Sequence, residues 1–401
     1  MNGGSPTGEL RIGMIGAGTM AGVHSAALAN LPHLYPGLAL RPRLVAVADV
    51  NRTLATGVAE RFGYERVADD VPAILHAADV DLVVACLPPT LDRDVVIGAA
   101  GAGKHVVCEK PLGGSAEDAA AMLRACRAAG VFHGLAAGYR WSPAVRAIGQ
   151  LIRDGELGAV RSIRASFMLD YAADPEVPLL WRFRKALAGG GIAIDTGYHL
   201  VDCARFLVGE IETVQALSAT FIKERSLPGA DAVGNRGGAA GAGGRETGPV
   251  DVEDAAAALV TFAGGAYGVL ETSRVAIGRR VSLQIEVYGS RGSADWDLER
   301  PDEFRVCLPG DQFTFGYRRV LVNPGHPGAT ELLIAGTDGT SIGWLGQECA
   351  MWAEFLGAIA DGRPASADFS DGVRDSAVID ALYASAASGA RMPVVLPAGI
   401  G

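Results

Sequence analysis

Three short stretches hold side chains whose types and spacing could do chemistry. The first is HVVCEKPLG (105–113), where a Val-rich run ends on Glu109, Lys110 and Pro111. An ammonium at the end of a buried strand can stabilise negative charge developing on a ligand oxygen, whereas a strand merely running out into solvent would carry the same residues to no effect. The second is GGGIAIDTGYHLVDCARFLVG (189–209), with Asp195 and His199 four apart and Asp202 further along. On a helix these share one face, and a carboxylate beside an imidazole orients it and raises its basicity, as a general base near neutral pH requires. The same spacing also occurs in ordinary surface pairs. Here the pair is embedded among Ile192, Ile194, Leu200 and Val201, and the glycines before it would admit a ligand closely.

The third stretch is Gly16-Ala17-Gly18-Thr19-Met20-Ala21, directly after LRIGMIG and opening a helical pattern. The first glycine permits a tight turn and the second lets a pyrophosphate approach the backbone. Ala21 stands at the packing position of the third glycine, and the phosphate would rest on the helix N-terminus. A plain glycine turn is the alternative. Asp49 ends the next apolar run, where a carboxylate would accept the adenosine ribose hydroxyls, which favours NAD; Arg52 could pair with a 2′-phosphate, so NADP use stays open.

The elements that must position these residues fall into two kinds. LRIGMIG, RLVAVADV, DLVVACLP and HVVCEKP are apolar without strict alternation, as in strands covered on both faces, and amphipathic stretches separate them. This predicts an α/β doubly wound parallel sheet of Rossmann type over residues 1–140. The helix SAEDAAAMLRACRAAG opens at Ser115 and closes at Gly130. Beyond it the strand candidates lengthen and alternate: VRSIRASFMLDY, TVQALSATFI, DAAAALVTFA, GAYGVLETSRVA, RVSLQIEVYG and FGYRRVLV. Residues 141–401 therefore read as an α+β domain with a large, mainly antiparallel open sheet. Its C-terminal helical stretches, GWLGQECAMWAEFLGAIADG and DGVRDSAVIDALYASAASG, are free to pack back on the first domain, and 229–248 reads as a mobile Gly-rich loop.

Composition excludes several classes. A chain of 401 residues with 49% hydrophobic and 20% charged content buries a large core, and its net charge of −10 argues against nucleic acid or an anionic membrane as partner. No run is long and apolar enough to span a bilayer and no leader pattern precedes the first strand, so a cytoplasmic location is expected. The six cysteines are scattered, and the histidines (His24, His33, His76, His105, His133, His326) show no ligand spacing; no metal is expected.

GAGTMA, EKPLG (Glu109–Gly113) and DTGYH (Asp195–His199), in that order and spread over nearly the whole chain, resemble the glucose–fructose oxidoreductase/inositol dehydrogenase (Gfo/Idh/MocA) family. The resemblance implies that Lys110, Asp195 and His199 form a catalytic group for hydride transfer between a secondary alcohol carbon and nicotinamide. His199 would take the hydroxyl proton, Asp195 orient His199, and Lys110 stabilise the alkoxide. Pro111 biases Lys110 away from helical geometry and keeps it at the strand end. Gly16, Gly18, Thr19, Met20, Asp49, Arg52, Pro88, Glu109 and Lys110 are the expected NAD contacts, with Glu109 either balancing charge or touching the cofactor. Tyr139 and Arg140, with Trp181, Arg182 and Lys185, are expected to line a carbohydrate surface; core packing is the alternative for Trp181 and Tyr139.

DPEVPLLWRFRKALAGGG is similar to the branch containing levoglucosan dehydrogenase and some inositol dehydrogenases. The expected activity is NAD-dependent oxidation of a ring secondary hydroxyl, at C3, of a sugar glycoside, extended by the acidic balance to an amino sugar or aminoglycoside. An inositol or cyclitol is the alternative substrate. An NAD-dependent glycosidase and a non-catalytic dinucleotide-sensing regulator are the remaining readings. Long alternating strands leave an apolar sheet face, so a homodimer or homotetramer is expected.

Overall fold

The computed structural model describes residues 8–228, 246–310, 312–332 and 340–400, so residues 229–245 of the expected mobile loop lie outside the described residues. The chain divides into two compact units: Met1–Gly138 with Trp344–Arg374 and Pro397–Gly401, and Tyr139–Gly343 with Asp375–Leu396.

In the first unit, β1 (Gly8–Ile15), β2 (Leu40–Ala48), β3 (Arg66–Val67), β4 (Leu82–Ala85), β5 (His105–Glu109) and β6 (His133–Ala136) form a parallel sheet in the order β3-β2-β1-β4-β5-β6. The crossover helices are α1 (Thr19–Leu34), α2 (Arg52–Phe62), α3 (Val71–Leu75), α4 (Pro89–Gly101) and α5 (Ala116–Ala129). Ile12, Met14, Val83, Val84, Val106 and Val107 are fully enclosed, which is why these strands do not alternate. The strand order reverses between β1 and β4, and such sheets bind ligands outside the carboxyl ends of their strands at that point. The glycine loop leaves β1 on that edge and Lys110 leaves β5 on it. Helix α5 starts where the Ser115 hydroxyl accepts the Asp118 N–H at 3.2 Å, and it stops at Gly130, whose φ of 64° suits glycine. The two-residue β3 escaped the sequence reading because it is too short to show a pattern.

The second unit opens with α6 (Pro143–Arg153) and β7 (Val160–Met168), followed by α7 (Lys185–Ala188) and α8 (Tyr198–Val208). Its strands are β8 (Ile211–Ala219), β9 (Glu224–Ser226), β10 (Thr247–Pro249), β11 (Ala255–Phe262), β12 (Tyr267–Ser273), β13 (Ser282–Gly289), β14 (Ser293–Asp297), β15 (Glu303–Cys307) and β16 (Arg318–Leu321). After α9 (Gly343–Asp361) and α10 (Phe369–Ser388) comes β17 (Met392–Pro393). Nine of these strands form one mixed sheet, ordered β16-β15-β14-β13-β7-β12-β11-β8-β17, in which β7 and β12 run parallel and the other pairs antiparallel. All six expected strands are present. The SADWD and EFRVC strands were missed, because at five residues each they are too short for their alternation to stand out.

One face of this sheet is covered, with α8 against β7 and α6 against β14. The other exposes Leu217 (75%), Leu259 (55%) and Tyr267 (57%) on the adjacent strands β8, β11 and β12. Helix α9 lies almost wholly in the first unit, and α10 passes from the first unit into the second after Arg374.

Candidate active site

The first unit carries the dinucleotide-binding elements. Gly16 has φ +97°, and a Cβ there would lie 2.3 Å from the Cys86 carbonyl oxygen, so only glycine fits the turn. Gly18 occupies the N-cap of α1, and no side chain caps that end. Thr19 and Met20 form the first turn, and Ala21 is fully buried, as the close-packing position requires. Asp49 stands just past β2. Its Oδ2 accepts the Ala17 N–H and its Oδ1 the Asn51 N–H, both at 2.7 Å, so the carboxylate braces the glycine loop as well as facing the edge where a ribose would lie. Arg52, at the start of α2, pairs on the surface with Asp69 at 2.8 Å. Pro88 is the N-cap of α4. A glycine cradle, a helix end without a side-chain cap and an acid at the next strand end suit a dinucleotide.

Glu109 is nearly buried. Its Oε1 meets His24 Nε2 at 2.8 Å and its Oε2 accepts the Lys110 backbone N–H at 3.0 Å. The Lys110–Pro111 peptide is cis. Asp92, at the start of α4, is also buried, and burial beside Glu109 pushes its carboxyl well above the ordinary carboxylate range. Sequence reasoning passed over His24 as a scattered histidine. The signal that could have found it is the spacing of Ala21, His24, Ser25 and Leu28, which puts an imidazole on the inward face of the phosphate-binding helix.

The second unit carries Asp195 and His199. Residues Ala193–Gly197 form a π-helical turn that runs directly into α8, so Asp195 sits on the π turn and His199 on the first turn of α8. Such turns cluster at functional sites and hold a side chain at an angle regular α geometry does not give. The His199 ring is boxed between Tyr139, edge-on at 4.7 Å between centroids, and Phe167 at 5.9 Å. Arg182 Nε approaches Asp195 Oδ2 at 3.4 Å while its guanidinium covers the Trp181 ring at 4.1 Å, so Arg182 keeps the Asp195 carboxylate company. The exposed Lys185 donates its backbone N–H to Asp251 at 2.6 Å at the start of α7.

Two expectations change. Arg140 does not line a surface: it is buried and forms a two-pronged pair with the buried Asp202, Nε to Oδ2 at 3.0 Å, and so anchors α8 from beneath. Glycines 190 and 191 do not receive a ligand either. A Cβ on Gly190 would fall 2.0 Å from the Tyr383 hydroxyl, and one on Gly191 would fall 2.2 Å from the Glu253 carbonyl oxygen. Glu253, missed in the sequence, accepts the Gly191 N–H at 3.1 Å, the Ala193 N–H at 2.9 Å and the Tyr383 hydroxyl at 2.9 Å. Its carboxylate caps the π turn, and burial raises its pKa.

The DPEVPLLWRF segment has a small core of its own, in which Val177, Leu179, Leu180 and Phe183 pack with Val250 and Val252. Arg225 pins it by donating to the carbonyls of Ala172 (2.6 Å), Asp174 (2.9 Å) and Val177 (3.0 Å). Phe183 lies against both Arg225 and Arg274, and Arg274 pairs with Asp254 at 2.9 Å while holding the Arg182 carbonyl at 3.1 Å.

Residues 10–136 match the oxidoreductase family's NAD-binding Rossmann fold, and residues 145–295 match the GFO/IDH/MocA C-terminal domain. Levoglucosan dehydrogenase of Pseudarthrobacter phenanthrenivorans is 38% identical over 94% of this chain and 96% of that protein. A levoglucosan dehydrogenase solved in complex with NADH superposes with a TM-score of 0.90 at 35% identity, covering 97% of this chain and 100% of the other. Inositol 2-dehydrogenase of Rhizobium meliloti is 29% identical over 76% of this chain and 80% of that protein. D-glucoside 3-dehydrogenase of Escherichia coli is also 29% identical, over 66% of this chain and 70% of the other. The chain is an NAD-binding oxidoreductase and a member of the GFO/IDH/MocA family.

Proposed function

We propose that the chain oxidises a ring secondary hydroxyl, at C3, of a sugar glycoside, a reading that extends to amino-sugar glycosides. The observation that carries this reading is similarity to levoglucosan dehydrogenase over 94% of the chain. The relative named for oxidation of glucosides at position 3 supports the choice of carbon. An inositol is the second reading, favoured by the inositol 2-dehydrogenase relative. The acidic balance, a net charge of −10, is the motive for the cationic sugar.

In this reading Lys110, Asp195 and His199 form the catalytic group. Bound NAD supplies the hydride acceptor. The His199 imidazole takes the hydroxyl proton as the carbon loses hydride, and the substrate leaves as a ketone. The ring is held for this by Tyr139 and Phe167. Asp195, kept beside the Arg182 guanidinium, orients it and balances the imidazolium that forms. The Lys110 ammonium stabilises the oxygen as it becomes an alkoxide. Trp181 and Arg182 offer a flat apolar face and donors to a sugar ring.

The test of substrate is NADH formation across inositols, anhydrosugars, free hexoses, nucleotide sugars and amino glycosides, with the product carbonyl located by NMR. A 3-keto glycoside is expected; a carbonyl at C1, or activity confined to sugar phosphates, contradicts the reading. Lys110→Met and His199→Ala should each lower turnover roughly 100- to 10,000-fold with dinucleotide affinity nearly intact, read by stopped-flow NADH formation and cofactor titration. Wild-type rates in either variant contradict the assignment.

The Asp49 carboxylate at the ribose edge repels a 2′-phosphate, so NAD is the preferred cofactor. Asp49→Ser should narrow the ratio of specificity constants for NAD over NADP by roughly tenfold. Equal constants in the native protein count against this. We infer as well that the sheet face bearing Leu217, Leu259 and Tyr267 is covered in a homodimer or homotetramer, since a monomer seldom leaves such a patch in water. Light scattering should give a dimer or tetramer mass, and a concentration-independent monomer overturns it.

A further inference from the structure

Two hydroxyls in the second unit are buried where the surrounding pattern calls for apolar side chains. Over residues 191–200, Asp195 and His199 are half-buried while the rest are buried, Thr196 completely. Along β12 the inward positions are Gly268, Leu270 and Thr272, and this strand lies inside the nine-stranded sheet between β7 and β11. A hydroxyl removed from water needs a partner, and these two find each other: the Oγ1 atoms of Thr196 and Thr272 are 2.5 Å apart.

The direction of this bond follows from the second partners. Thr272 Oγ1 is 3.1 Å from the carbonyl oxygen of Phe167, its register neighbour on β7, and Thr196 Oγ1 is 3.4 Å from that of Ile192. Each hydroxyl has one proton to give. Either Thr196 donates to Thr272 and Thr272 to Phe167, or Thr272 donates to Thr196 and Thr196 to Ile192. The first arrangement makes the shorter second bond, so the chain runs from Thr196 through Thr272 to the Phe167 carbonyl. Both ends of it lie at the Asp195 and His199 pair. Thr196 follows Asp195 on the π turn, and the Phe167 ring is 5.9 Å from the His199 ring. Turn and strand are close here: a Cβ on Gly197 would lie 3.5 Å from Thr272 Cγ2. A methyl in place of either hydroxyl needs roughly 3.5–4.0 Å from its neighbour, so an apolar pair could not hold the two at their present separation.

We propose that Thr196 and Thr272 are positioning residues for Asp195 and His199: their hydrogen bond seats the π turn on β12 and so sets the direction in which the two half-buried side chains leave it. The functional importance of this seat rests on the reading of Asp195 and His199 as members of the catalytic group. Without the bond the turn moves off the strand, and a displacement near 1 Å at such a site is enough to cost most of the rate.

The experiment compares Thr196→Val, Thr272→Val, the double variant and Thr196→Ser in the full chain. The first readout is the His199 imidazole titration, followed by NMR of histidine-labelled protein and assigned by its loss in His199→Ala, with Asp195→Asn as the reference; it needs no substrate. Thr196→Val should lower the His199 midpoint in the direction that Asp195→Asn lowers it, by roughly half a pH unit or more, and Thr196→Ser, which keeps the hydroxyl, should match the native midpoint. The second readout is single-turnover hydride transfer with a sugar or cyclitol that forms NADH. Thr196→Val should slow it roughly tenfold or more, with NAD affinity by calorimetry changed by less than about threefold. The double variant should be within about threefold of the slower single variant, since either substitution alone already removes the bond. A native His199 midpoint in Thr196→Val while Asp195→Asn shifts it overturns the proposal and leaves the catalytic reading standing; a native midpoint in Asp195→Asn as well removes both. A serine variant that behaves like valine, or single effects that multiply in the double variant, also overturns the proposal. Should Thr196→Val not fold, Thr272→Val must give the same shift and the same slowing, or the proposal falls.

Discussion

The Glu253 carboxylate, enclosed and fed by the Gly191 and Ala193 N–H groups and the Tyr383 hydroxyl, is what lets a glycine-rich run enter a π turn and carry Asp195 and His199 into α8. Helix starts leave backbone donors without partners, and a buried start must find them elsewhere. Here the partner comes from β-rich sequence 60 residues downstream of Ala193. The same constraint, that a charge removed from water must be paired, recurs through the second unit. Arg140 with Asp202, Arg205 with Asp375 and Arg274 with Asp254 are all buried pairs. Breaking such a pair costs about 3–5 kcal/mol, while replacing both partners with apolar groups is often neutral. Their role is accordingly to fix the placement of α8 and the Trp181–Arg182 segment rather than to add stability.

The DPEVPLLWRF segment follows the same logic. This stretch has no strand or long helix of its own; its Leu179 N–H donates to the Ser226 carbonyl at 2.7 Å, and side chains add further hydrogen bonds. Arg225 supplies three of them, and the Phe183 ring between two guanidinium groups supplies the packing.

How much of this was legible in the sequence depends on the range of the interaction. The glycine loop, the Asp49 strand end, the EKP turn and the caps at Ser115 and Gly130 are set by neighbours within a few residues, and the sequence shows them. The π turn does not show, because it is imposed by Glu253 and Tyr383 from distant elements. Glycines 190 and 191 read as room for a ligand, yet a Cβ there would meet the Tyr383 hydroxyl and the Glu253 carbonyl oxygen. Arg140 looked like a sugar contact because it follows Tyr139, but its partner Asp202 lies 62 residues on and could be recognised only once α8 was folded. His24 was passed over because its partner Glu109 lies 85 residues away.

The central claim, that a ring C–H at position 3 passes as hydride to the cofactor, is tested most directly by isotope transfer. The native enzyme would be incubated with NAD and levoglucosan, or a methyl glucoside, carrying deuterium at C3, and the recovered NADH analysed by mass spectrometry and NMR. One deuterium at C4 of the nicotinamide, with a slowed reductive step in the pre-steady state, is the predicted result. NADH without deuterium, or no NADH from either sugar, would contradict the account.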